Sequence, residues 1–105
     1  MQKYRIMVLA EFPRDTRHQR KVVREFEELL FAAGFSELQA GVFTRVSDGY
    51  RSARRHMIRI RSNAPECGTV RLLAFTEQQF AASELVAGAP SAQETEIGSQ
   101  LDVFL

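Results

Sequence analysis

Apolar residues come along this chain in blocks whose spacing changes from one block to the next. Ile6, Met7, Val8 and Leu9 are consecutive within Lys3 to Glu11. Such a run suits a strand covered on both faces. Phe12-Pro13 ends it, because proline has no N–H to give to a ladder. The period then becomes helical. Val22, Val23, Phe26, Leu29, Leu30 and Ala33 fall within about 120° on a helical wheel, a continuous apolar stripe. Asp15 or Thr16 is placed to cap this helix, and Gly34 to stop it.

From Glu37 to Val46 the pattern alternates. Leu38, Ala40, Val42, Thr44 and Val46 share one face, and Gln39, Gly41, Phe43 and Arg45 the other. Gly41 marks a bend or bulge that splits the run into two short strands. Asp48-Gly49 is a turn. Tyr50 to Ser62 reads as a second helix, with Tyr50, Ala53, Met57 and Ile60 on its buried side. Thr69 to Thr76 is a second strand apolar on both faces, and Thr76-Glu77-Gln78-Gln79 opens a short helical turn through Phe80. Ser83 to Ala87 is expected to add one more short strand. Residues 88–100 are small and polar, as in a linker, and Leu101 to Leu105 is apolar enough for a terminal strand.

The order of elements predicts an α+β, ferredoxin-like sandwich, an antiparallel sheet with two helices on one face. The core domain spans residues 1–87, followed by the linker and the C-terminal strand. Such a sheet keeps one face bare, and here the central strands are apolar on both. A sheet-to-sheet homodimer is the physical expectation.

The formal net charge of +1 hides an asymmetry. All 14 Lys and Arg lie in residues 1–71, against 8 acids there, whereas residues 72–105 carry 5 acids and no base. A concentrated positive field suits an anionic partner. No apolar run reaches the ~18 residues of a membrane span, and Ile6 to Ala10 is too short for the apolar core of a signal peptide. The expected compartment is the cytoplasm. The single cysteine, Cys67, excludes an internal disulfide and a cysteine-based zinc site.

Three groups of residues are candidates for chemistry. Glu11 ends the first strand, and a carboxylate held there by the following proline is a possible ligand for Mg²⁺ or Mn²⁺, shared between two copies across a dimer axis. Arg51, Arg54, Arg55 and Arg59 lie within about 140° of one another on the second helix, opposite its apolar side. Each guanidinium can grip a phosphate through a planar fork of donors without reading a base. Four like charges on one face repel one another, a strain that bound anions relieve. Arg14, Arg17, Arg20 and Lys21 surround the start of the first helix, where free N–H groups and guanidiniums converge on one anion. Ile58 within the arginine face, and Phe31 on the polar side of the first helix, are candidate partner contacts. His18, His56 and Cys67 have no readable catalytic or metal-binding partners.

The ordered set of segments resembles the CRISPR-associated protein two family. Ile6-Met7-Val8-Leu9-Ala10-Glu11-Phe12-Pro13-Arg14-Asp15-Thr16 is similar to its opening strand. Leu29-Leu30-Phe31-Ala32-Ala33-Gly34-Phe35 follows at the expected distance, and Gln39-Ala40-Gly41-Val42-Phe43-Thr44-Arg45 is similar to its second strand. Gly68 to Phe80 and Leu101-Asp102-Val103-Phe104-Leu105 resemble the form found in type II systems.

The resemblance implies a ferredoxin-like homodimer that bridges integrase dimers in the complex that acquires spacers, with double-stranded DNA held against Arg14, Arg17 and the helix-two arginines. It also implies an alternative, a metal-dependent endonuclease using the residue at position 11. Some members described as nucleases carry Asp there. Glu11 is longer by one methylene, which shifts any metal geometry and favours the scaffold. The third class of function, a ligand-sensing ferredoxin-like domain, needs a small-molecule pocket that no glycine-rich loop announces.

Overall fold

The structure, a computed structural model, describes residues 2–90. Its elements run β1 (Tyr4–Glu11), α1 (Arg17–Ala32), β2 (Ser36–Gln39), β3 (Val42–Ser47), α2 (Tyr50–Asn63), β4 (Thr69–Thr76) and α3 (Glu77–Ala81). The four strands form one antiparallel sheet in the order β2-β3-β1-β4, the ferredoxin-like arrangement expected.

Local chemistry sets the boundaries. At the start of α1, Thr16 is the cap. Its hydroxyl accepts from the Gln19 N–H at 3.0 Å, and the Gln19 side chain accepts from the Thr16 N–H at 3.1 Å. This reciprocal pair satisfies two of the helix's orphan groups. At the other end the Phe35 N–H reaches the Leu30 carbonyl and the Gly34 N–H the Phe31 carbonyl, both at 3.0 Å. That pattern requires a left-handed residue, supplied by Gly34 at φ +88°. The Arg45 guanidinium lies over Gly34 and donates to the Ala33 carbonyl, so a cation sits at the negative end of α1. Gly41 divides the alternating run into β2 and β3 as expected. Its φ is +77°, its carbonyl accepts from the Ala10 N–H at 2.7 Å, and a Cβ there would collide with the Ala10 carbonyl.

Alternation divides the sheet into two faces. Ile6 and Val8 of β1, with Phe43 of β3, turn toward the helices and are fully or almost fully buried. They pack against Phe26, Leu30 and Ala33 of α1, Phe35, and Ala53 and Ile60 of α2. Each such side chain contributes about 1.5–3 kcal/mol on burial when large and apolar. Arg5, Met7, Leu9 and Glu11 take the opposite face, beside Val42, Thr44, Leu73 and Phe75.

Two expectations need correction. Ser83 to Ala87 forms no strand: α3 ends at Ala81 and the chain continues without regular structure. Tyr50 is not on the buried side of α2. It is 63% exposed: it is the first residue of the helix, and its ring meets that of Tyr4 edge to face with centroids 6.2 Å apart. Most of the expected linker and the terminal strand at 101–105 lie outside the described residues.

The open face of the sheet is not wholly bare. Thr76 caps α3 in a second reciprocal pair with Gln79, and α3 folds onto that face. The side chain of Arg5 is completely buried there. It donates to Glu77 at 2.6 Å, reaches the Thr44 hydroxyl, and lies 4.0 Å from the centre of the Phe80 ring. Removing one partner of a buried ion pair strands the other charge. Glu77→Ala is expected to lower unfolding free energy by about 3 kcal/mol, read from urea denaturation. The pair variant Arg5→Met with Glu77→Gln should recover part of that loss, and a silent Glu77→Ala would show that the pair does not anchor α3.

Candidate nucleic-acid interface

Antiparallel pairing gathers several loops at one end of the sheet. Glu11 ends β1 opposite Thr69, the first residue of β4, and α1 starts after the short loop that follows Glu11. The Ala40-Gly41 turn is tied to Ala10, and α2 finishes at this end before the chain enters β4. The first group of cations is therefore set around the N-terminus of α1, next to the strand end.

The members of that group behave differently. Arg20 donates to the carbonyls of Arg14 and Asp15 at 3.0 and 3.3 Å, so it braces the loop that carries Arg14. Arg14 approaches Glu27 at 3.8 Å and remains more than half exposed. Arg17 and Lys21 are exposed and, among the described residues, make no ion pair. The first turn of α1 carries no acid. Its N–H dipoles, with exposed Arg17 and Lys21, thus present positive charge, while Glu27 engages Arg14 in part.

On α2 the expected arginine face is present, divided by the helix's rotation. Arg51, Arg55 and Arg59 are exposed on the outer side, away from buried Ala53 and Ile60. Arg54 stands instead on the flank nearer β4, together with Arg61, which the sequence reading did not single out. None of the five forms an ion pair among the described residues. The two arginine groups stand on different elements. Arg14, Arg17 and Arg20 surround the start of α1, whereas Arg51 to Arg59 extend about 12 Å along α2 at 1.5 Å per residue.

His56 registers this field. Its ring is half-buried beside Phe35, with centroids 6.2 Å apart. Burial, then the charges of Arg45, Arg55 and Arg59, push its pKa below the ordinary histidine value of 6.5. Along the sequence His56 has no readable partner. Its proximity to Phe35 is set by tertiary packing, which no spacing along the chain reveals.

Glu11 is exposed at the end of β1 and takes the face opposite the helices. No three His, Cys, Asp or Glu side chains gather as metal ligands among the described residues. A divalent cation takes about six oxygens, and one chain offers a single carboxylate here. Taken alone, the described residues of one chain do not fit a metal site.

The open face carries an apolar groove of about 650 Å³ whose lining includes Met7, Leu9, Val42, Phe75, Phe80 and Leu85. Phe31, half-exposed, sets its edge against Phe43 with ring centres 5.8 Å apart, so it belongs to the rim of the core as well as to the surface. Among the described residues no helix is long and apolar enough to cross a membrane. The sequence reading missed Arg5. The available signal was a cation on the same strand face as Met7 and Leu9.

No family model matches the chain. Comparison with known proteins finds similarity to CRISPR-associated endoribonuclease Cas2 of Acidovorax ebreus, 33% identical over 95% of this chain and 99% of the relative. The protein of the same name from Flavobacterium psychrophilum is 32% identical over 94% of this chain and 86% of the relative. That of Parvibaculum lavamentivorans is 29% identical over 94% and 98%.

The lowered pKa of His56 fixes the sign of a pH effect. Below pH 6.5 the unfolded chain binds a proton at this ring before the native state does, so stability is lost as pH falls through 6.5 toward the native pKa. The thermal midpoint of the native chain is expected to drop over that interval, and that of His56→Gln to drop less. Parallel curves for the two proteins would mean that His56 does not carry the effect.

Proposed function

This chain belongs to the CRISPR-associated Cas2 family, and on that premise we propose that it is a non-catalytic scaffold subunit of the spacer-acquisition complex. Two copies join through their open sheet faces, bridge integrase dimers, and hold duplex DNA by its phosphates. The observation that supports this most is the set of exposed guanidiniums at Arg17, Arg51, Arg55 and Arg59, without ion pairs among the described residues, together with half-engaged Arg14. Such groups bind a phosphate backbone without sequence preference. Pairing through the open face would bury the groove around Met7, Leu9 and Phe75 and bring two copies of each cationic set to one duplex. Residues at a helix N-terminus and on an outer helix face are presented to solvent by rigid elements, so little ordering is needed on binding.

The activity printed in the relatives' names favours a second reading, in which the chain cuts RNA or DNA phosphodiester bonds with Mg²⁺ or Mn²⁺ present. Glu11 is then the residue at stake. Only a dimer brings two copies of this carboxylate into one site.

Binding of a short duplex by the full chain, together with its integrase, should weaken as salt rises. Arg14→Ala with Arg17→Ala should lower affinity and reduce the slope of log affinity against log salt by about 2. An unchanged slope would remove these residues from the DNA contact, and a chain that sediments as a monomer at high concentration would remove the dimer. For the second reading, Glu11→Gln is compared with the native chain in spacer integration and in cleavage of RNA and DNA. Retained integration without cleavage by either protein supports the scaffold. Cleavage lost only in Glu11→Gln supports the nuclease.

A further inference from the structure

A second groove lies along the flank of α2 that faces β4, and the nucleic-acid reading leaves it unused. It measures about 500 Å³ and is floored by Tyr4, Ala53, Met57 and Ala74. Tyr50 and Ile58 stand at its margins, 63% and 46% exposed. Arg54 and Arg61 complete the rim, and neither makes an ion pair among the described residues. The groove therefore combines an apolar floor with two cationic forks on one side.

This combination discriminates between partners. A phosphate backbone would use the guanidiniums and the Tyr50 hydroxyl but gain nothing from Met57 and Ile58, whose apolar surface is relieved only by apolar contact. An acidic protein segment with an aliphatic or aromatic anchor uses both features. Its carboxylates match the planar forks in charge and shape, while its anchor displaces water from the floor. Rotation along α2 also separates Arg54 and Arg61 from outward-facing Arg51, Arg55 and Arg59.

We infer that this groove is the docking surface for an acidic, apolar-anchored segment of another protein. The anchor lies between Tyr50 and Ile58, and the carboxylates meet Arg54 and Arg61. The inference does not depend on whether the chain grips DNA, because the groove is bordered by Arg54 and Arg61, whereas the duplex contacts are proposed at Arg14, Arg17, Arg51, Arg55 and Arg59.

The test uses the full chain and a short synthetic peptide of glutamates interleaved with leucines and one photoreactive phenylalanine, followed by fluorescence anisotropy. The acidic peptide should bind, and its lysine counterpart should not. Ile58→Ser and Arg61→Glu, both surface changes expected to leave the thermal midpoint intact, should each weaken peptide binding by about tenfold. Ile58→Ser should leave duplex affinity unchanged. Cross-links from the peptide should fall on Tyr50 or its neighbours on α2. Several outcomes would overturn the inference: equal binding of the lysine peptide, indifference to both variants, a parallel loss of duplex affinity in Ile58→Ser, or no binding at all. So would cross-linking that places residues 91–105 of the same or a second copy in the groove.

Discussion

The buried guanidinium of Arg5 constrains the face of the sheet that the two long helices do not cover. A cation with no solvent exposure in the central strand is tolerable only if a counter-charge and polar or aromatic neighbours surround it. Glu77 and Phe80 supply these from α3, and Thr44 supplies a hydroxyl from β3. The charge thereby draws the end of β4 back across the sheet. Arg5 pairs opposite Phe75 in β4, and Phe75 stacks on Phe80, so the clasp and the strand register reinforce each other. What remains of that face is an apolar groove walled on one side by α3.

The opposite face follows a simpler rule. Ile6, Val8 and Phe43 are buried against the apolar stripes of α1 and α2, and the polar sides of both helices are left outward. Positive charge therefore accumulates where the fold has no further use for it: around the first turn of α1 and along the outside of α2. His56, half-buried on α2 beside Phe35, has its proton affinity lowered by burial and then by Arg45, Arg55 and Arg59. This distribution of charge is the observation on which the proposed scaffold reading rests.

Much of this was legible along the chain because its signals are local. The stripe from Val22 to Ala33, the capping residues Thr16 and Thr76, and the stops at Gly34 and Gly41 each act within a few residues. The structure places them as the spacing predicts. The failures came where the outcome depends on distant residues. Ser83 to Ala87 has strand-like composition, but no strand in the described sheet accepts it. Tyr50 fits the apolar side of α2 by rotation, but as the first residue of that helix it stays largely exposed. Arg54 belongs with its neighbours by angle on the helix, yet the position of β4 turns it into the rim of a groove.

The amino-acid sequence by itself determined the order of the elements, their ends, the apolar stripes and the family, because periodicity, capping and turn chemistry are short-range properties. It also determined that all cations precede residue 72. Tertiary structure alone decided that Arg5 is buried and clasped by Glu77, that His56 meets Phe35, and that the arginines of α2 divide between an outer side and a groove. These facts join residues many positions apart, and only the packing of α2, α3 and β4 onto one sheet brings them within bonding distance.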